Sequence, residues 1–134
     1  MLAIGCGNDE HRVPVACLDA NVSRALVRAP GDVRLEGDTK LSECFNRAAQ
    51  PAEVQQVGAV FVAAAEQLSA RARAAPHSPA ALRLGYLIGA VRHGAGRTQG
   101  IHYETQRRIE QELIGVNTKA PEFVQGETAG ERSG

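Results

Sequence analysis

The chain has no tryptophan, only three Phe and two Tyr, no excess of either charge and no long apolar run. Its 15 basic and 15 acidic side chains balance, which argues against a dedicated surface for nucleic acid or an anionic membrane. No stretch of about 18 apolar residues occurs, so the sequence predicts no transmembrane helix. A core with so few aromatic rings must be packed from Leu, Val, Ile and Ala, which favours close-packed helices.

Apolar residues recur at intervals of three and four through most of the 134 residues, and this spacing predicts an all-α fold. We expect a single-domain antiparallel bundle of about four to five helices. The first helix is expected over residues 17–29, and the second should begin at Asp38 or Thr39 as its N-cap. A third is expected over residues 51–75, where Pro51 suits the first helical position.

Ser78 and Pro79 mark the clearest helix start in the chain, an N-cap serine followed by proline. A single helix over residues 79–113 would be about 52 Å long, which is too long for so small a domain. We therefore expect a break near residues 94–100, where three glycines occur, and a helix end at Gly115. Residues 1–14 are assigned to a signal-peptide remnant and tether, 15–115 to the helical domain and 116–134 to a mobile tail.

The N-terminus contains a short apolar run that ends in cysteine, namely Leu2-Ala3-Ile4-Gly5-Cys6. This run resembles the end of a bacterial lipoprotein signal peptide, in which cleavage occurs before the cysteine and the cysteine carries the lipid. The resemblance implies a lipid anchor on Cys6, a membrane as partner and a location outside the cytoplasm. The alternative is a cytosolic protein with an ordinary apolar N-terminus.

Setting Cys6 aside leaves Cys17 and Cys44 as an even pair, which in an oxidising compartment favours a disulfide. This bond would join the first predicted helix to the second. The alternative is two free, buried thiols that behave as small hydrophobic groups.

The segment 92–104 concentrates the polar side chains that a ligand site would use, namely Arg92, His93, Arg97, His102 and Tyr103. Two arginines and two histidines beside flexible glycines would suit a small anionic ligand. The alternative is a solvated corner between helices in which the arginines pair with Glu104 or Glu110. No histidine has a second ligand at the spacing of a metal site, and no nucleophile motif occurs, so neither metal, cofactor nor catalysis is predicted.

The stretches Leu41-Ser42-Glu43-Cys44 and Leu84-Gly85-Tyr86-Leu87-Ile88-Gly89-Ala90 resemble helical lipoproteins of high-GC, actinobacterial-type bacteria. The resemblance supports the compartment and the fold, and it implies no particular activity. We therefore expect a lipid-anchored, extracytoplasmic binding or interaction module without catalytic activity, whose partner is a protein or a small anion. The alternatives are an anion binder or enzyme that uses segment 92–104, and a cytosolic helical partner protein.

Overall fold

The computed structural model describes residues 13–19 and 21–134, so Cys6 and most of the predicted tether lie outside the described residues. Short 3-10 turns at Val15–Leu18, Leu26–Arg28 and Glu36–Asp38 accompany the helices. The all-α class and the single domain are confirmed. The described part contains six α-helices: α1 (Asn21–Ala25), α2 (Leu41–Arg47), α3 (Pro51–Ala74), α4 (Pro79–Ala95), α5 (Tyr103–Gln111) and α6 (Pro121–Ser133).

Helix α4 forms the centre of the domain and contacts α2, α3, α5 and α6. It begins directly after Ser78, as the sequence predicts, and its apolar side chains lie on several sides of the helix. Leu84, Tyr86, Leu87 and Ile88 are fully buried. A helix that is apolar all round belongs inside a fold, and its neighbours here cover it.

The predicted break between the two halves of segment 79–113 is confirmed, because α4 ends at Ala95 and α5 begins at Tyr103. Gly100 adopts a positive φ of 91° in this connection, a conformation that suits glycine. Helix α5 ends two residues earlier than expected, with Glu112 as its C-cap. Gly115, which has a φ of 81°, lies beyond that end.

The C-terminal segment is a packed helix, so the prediction of a mobile tail over residues 116–134 is wrong. Helix α6 runs parallel to α4, and the backbones of the two helices touch at glycines. A Cβ atom on Gly126 would clash with the Leu82 carbonyl, and one on Gly85 would clash with the Phe123 carbonyl. Phe123 is 1% exposed. The close approach requires glycine in both helices, and the parallel pair departs from the antiparallel arrangement expected for the bundle.

The Cys17–Cys44 disulfide is present, as predicted, and both cysteines are fully buried. The Cα atoms are 5.6 Å apart, and the bond joins the first 3-10 turn to α2. The continuous helix expected over residues 17–29 is wrong, because Asp19 has extended backbone angles and divides it. Aspartate and asparagine compete for backbone hydrogen bonds, so the Asp19 region favours a helix end over a helix interior.

Helix α2 begins after Lys40, one residue beyond Thr39 and two beyond Asp38, the two residues expected as its N-cap. The Lys40 backbone N–H donates to the Glu43 carboxylate at 3.1 Å and so satisfies one free donor at the helix start. Asp38 instead lies in a tight turn with a positive φ of 63°. That turn is closed by the Leu35 N–H, which donates to the Thr39 carbonyl at 2.8 Å.

Candidate functional site

Arg92, predicted as an anion clamp, is the centre of an ion-pair cluster between three helices. Its Nη2 lies 2.6 Å from the Glu110 carboxylate of α5, and its Nη1 lies 2.5 Å from Glu127 of α6. Glu131 lies 3.8 Å from the same Nη1. Burial alone would lower the pKa of Arg92, but the hydrogen bond and charge of Glu110, together with Glu127, raise it. The guanidinium is therefore engaged in holding α4, α5 and α6 together.

His102, predicted as a titratable ligand group, is fully buried below the start of α5. Its Nε2 lies 2.8 Å from the Ala48 carbonyl oxygen, and because a carbonyl only accepts, Nε2 carries the hydrogen. Phe45 packs edge-on against the ring, with centroids 5.2 Å apart. The Nδ1 atom is buried without a hydrogen-bond partner in the described part of the chain. This histidine ties the end of α2 to the α4–α5 connection.

The remaining residues of the predicted site differ in exposure. His93 is partly buried near the end of α4, and Arg97 is exposed in the connection that follows. The Tyr103 side chain is 68% exposed at the first position of α5. The structure therefore assigns Arg92 and His102 to separate helix contacts and leaves Arg97 and Tyr103 on the surface. It does not gather the five residues around one pocket.

Two partners of Arg92 were not predicted, because Glu127 and Glu131 lie in the segment expected to be mobile. A signal was present in the spacing of the glycines. Gly126 and Gly130 are four residues apart in α6, as Gly85 and Gly89 are in α4. Matching spacings of small residues allow two helices to pack closely, which would have placed α6 beside α4.

A groove on the outer surface of α5 was also missed, and we call it the α5 groove. Tyr103 and Ile114, at its ends, are 68% and 76% exposed, and Arg107 lies between them. Large apolar side chains that are exposed on one continuous surface can mark an interaction site. The groove has a volume of about 480 Å³ and is lined by Tyr103, Gln106, Arg107, Glu110, Gln111 and Ile114.

A second hollow lies on the N-terminal part of the fold and has a volume of about 340 Å³. Exposed Arg24 and Arg28 line it together with Arg34. Arg34 is paired with Asp32 at 2.9 Å, and the hydrogen bond to Asp32 raises the pKa of Arg34. The cationic character of this hollow therefore comes chiefly from Arg24 and Arg28.

Among residues 13–19 and 21–134, no group of three His, Cys, Asp or Glu side chains is arranged to hold a metal ion. Within the same residues, no helix is both long enough and apolar enough to cross a bilayer. No protein-family model, curated protein or solved structure matches this chain.

Proposed function

We propose that the protein is an exported, lipid-anchored helical module that acts by binding and not by catalysis. The observation that carries the export is the buried Cys17–Cys44 disulfide. Structural disulfides persist in oxidising compartments and are rare where glutathione and thioredoxin keep thiols reduced. With two of the three cysteines paired, Cys6 is left as the one thiol for lipid attachment, at the end of the apolar run 2–6.

Lipid attachment at Cys6 requires two reactions, a transfer to its sulfur and a cleavage of the peptide bond before it. The Cys6 Sγ takes a diacylglyceryl group from a membrane glycerophospholipid. A carbon–sulfur bond forms, the carbon–oxygen bond to the phosphate breaks, and the thiol proton leaves with the phosphate. Water then hydrolyses the Gly5–Cys6 peptide bond, so that Cys6 becomes the first residue of the anchored protein.

A binding role is supported by what the fold leaves exposed. Arg92 and His102, the polar groups best suited to chemistry, are engaged in contacts between helices. The exposed surface instead carries large apolar side chains, with Tyr103 and Ile114 in the α5 groove. Apolar groups that remain exposed in a folded domain are suited to contact with another molecule.

Cell fractionation tests the proposal directly when the gene is expressed in a high-GC bacterium together with its upstream in-frame codons. We expect the protein in the membrane fraction, released by detergent but not by high salt, and labelled by a fatty-acid analogue. Cys6→Ser should abolish the label and release the protein from the membrane. The double variant Cys17→Ala, Cys44→Ala is the matched control and should keep the label.

Thiol trapping in intact cells tests the export step separately. Acid quenching of the cells, followed by alkylation of the denatured protein, should leave Cys17 and Cys44 unmodified, because both sulfurs are held in the disulfide. Unlabelled wild-type protein in the cytoplasmic fraction, with both thiols alkylated, would contradict the proposal. The cytosolic alternative would then account for the chain.

A further inference from the structure

Helix α5 has one buried face and one face that the rest of the domain leaves open. Thr105 and Ile109 lie on the buried face, where the Thr105 side chain meets Gly58 of α3. The outer face forms the α5 groove, whose six lining residues recur at the three- and four-residue intervals of one helical stripe. This stripe continues from Tyr103 to Ile114, just beyond the end of the helix.

Among the six groove residues, those at equal distances on either side of the centre of the stripe have side chains of complementary chemistry. They form three pairs placed symmetrically about the midpoint between Arg108 and Ile109. Two helices that pack antiparallel around a two-fold axis bring such pairs face to face. The pairs are apolar with apolar, amide with amide and cation with anion: Tyr103 with Ile114, Gln106 with Gln111, and Arg107 with Glu110.

We propose that the α5 groove is a self-association surface, on which α5 of a second copy of this chain packs antiparallel around a two-fold axis. The partner is thus a second copy of the chain, and the surface is isologous, so each of the three pairs occurs twice in the dimer. This inference rests on the proposed binding function, because it identifies the partner that the binding module contacts. It does not require lipid on Cys6.

The charged side chains at the centre of the groove have partners within the chain and can still take part in a contact between copies. Arg107 is paired with Glu104 at 2.8 Å, but both side chains are more than half exposed. An ion pair this exposed adds little stability, so Arg107 can exchange or share its carboxylate. Glu110 accepts two hydrogen bonds from Arg92 on Oε1 and one from Gln106 on Oε2, so Oε2 retains an acceptor position for a second copy.

The size of the groove sets the expected strength of the contact. One nine-residue helix buries less surface than a stable dimer interface requires, so the complex should be weak and reversible in solution. Anchoring both copies in one bilayer would raise their effective concentration and favour the dimer without any new contact. Self-association should therefore depend steeply on protein concentration.

Sedimentation velocity of the full chain carrying Cys6→Ser, with the disulfide intact, measures self-association without lipid. We expect reversible dimerisation at protein concentrations up to about 1 mM. Because of the two-fold axis, each substitution changes two contacts of the dimer. Ile114→Ser removes both Tyr103–Ile114 apolar contacts, and Arg107→Glu places a glutamate opposite Glu110 in both. Each should raise the dissociation constant at least about tenfold.

Two control variants carry the same chemical changes outside the groove. Val27→Ser removes a 57% exposed apolar side chain, and Arg97→Glu reverses an exposed charge. Both should leave the dissociation constant within about twofold of the parent value. An equal loss of association in these controls would overturn the proposal, because association would then not depend on the α5 groove.

Cysteine cross-linking tests the antiparallel register in the same Cys6→Ser background. Tyr103→Cys chains mixed with Ile114→Cys chains should form a mixed cross-linked dimer on mild oxidation, and neither variant should cross-link efficiently alone. Preferred cross-linking of Tyr103→Cys to itself would indicate parallel helices and overturn the proposal. A protein that stays monomeric at every concentration and does not cross-link would also overturn the proposal. Absence of lipid on Cys6 in cells would instead contradict only the proposed anchoring.

Discussion

The Arg92 guanidinium on α4 lies 2.5 Å from the Glu127 carboxylate on α6. These residues are 35 positions apart in the chain, and their contact connects the central helix to the C-terminal one. Glu110 of α5 bonds the same guanidinium from another helix. A side chain that by sequence resembles an anion clamp is therefore already occupied by the protein's own carboxylates.

Replacing Arg92 should destabilise the fold. Arg92→Met keeps much of the apolar stem but leaves three carboxylates without their cation, so we expect a loss of about 1–3 kcal/mol. The value lies toward the low end because the guanidinium is about a third exposed and screened by solvent. Urea unfolding monitored by circular dichroism measures the loss.

Arg97→Ala serves as the comparison for Arg92→Met, since Arg97 is exposed in the α4–α5 connection. Its unfolding free energy should stay within about 0.5 kcal/mol of the wild type. Equal stabilities of the Arg92 and Arg97 variants would contradict the structural role of Arg92. The anion-site interpretation of segment 92–104 would then regain support.

Adding one methyl group to α6 should separate it from α4. The new Cβ of Gly126→Ala would clash with the Leu82 carbonyl, which belongs to the backbone and cannot rotate away. We expect a loss of about 3 kcal/mol or more in the free energy of unfolding, which thermal melts would report.

Gly58→Ala in α3 is the matched control. Its Cβ would lie 3.1 Å from the Thr105 side chain, which can adjust, and alanine favours the helix by up to about 1 kcal/mol. This variant should melt close to the wild type. If Gly126→Ala melts no lower than Gly58→Ala, the glycine contact between α4 and α6 is not as close as described.

The C-terminal helix shows why part of the fold could not be predicted from sequence. Regular apolar spacing revealed α3 and α4, and counting cysteines paired Cys17 with Cys44. Helix α6 offers few apolar side chains beyond Phe123, and its burial comes from backbone contact at glycines, which hydrophobic patterning does not register. Two of the three carboxylates around Arg92, Glu127 and Glu131, lie on that helix, so the extent of the ion-pair cluster could not be predicted.

Tyr86 should make the protein sensitive to alkaline pH. Burial raises the pKa of its phenol, and the nearby Ser133 hydroxyl and Val33 backbone only partly offset this effect. A folded-state pKa above the unfolded value means that the stabilisation is fully present below about pH 10. It is lost as the pH rises through the folded-state pKa, because the unfolded chain then ionises more readily.

Tyr86→Phe should therefore flatten the alkaline side of the stability profile. At neutral pH the variant should differ little, because the Tyr86 hydroxyl, although it lies near Ser133 and Val33, makes no hydrogen bond of normal geometry within the described part of the chain. Melting temperatures measured from neutral pH to above pH 10 would compare the two proteins. Parallel profiles would show that Tyr86 does not control the alkaline loss.

Removing the disulfide should lower the free energy of unfolding by about 3.5 kcal/mol, which is the loop-entropy value for two cysteines 27 positions apart. The double variant Cys17→Ala, Cys44→Ala is the appropriate form, because it leaves no charged or reactive thiol in the core. Urea unfolding with and without reductant gives the comparison. Reductant should destabilise the wild type and leave the double variant unchanged, and any other pattern would argue against a stabilising bond.

The intact mass of the protein extracted from its own cell membranes tests the central claim most directly. Lipid anchoring predicts a single species that begins at Cys6, carries a diacylglyceryl group on that residue and lacks two hydrogens for the Cys17–Cys44 bond. Cleavage of the ester bonds should release the fatty acids and leave the disulfide intact. An unlipidated species that retains residues 1–5, with all three thiols reduced, would contradict the proposed export and anchoring.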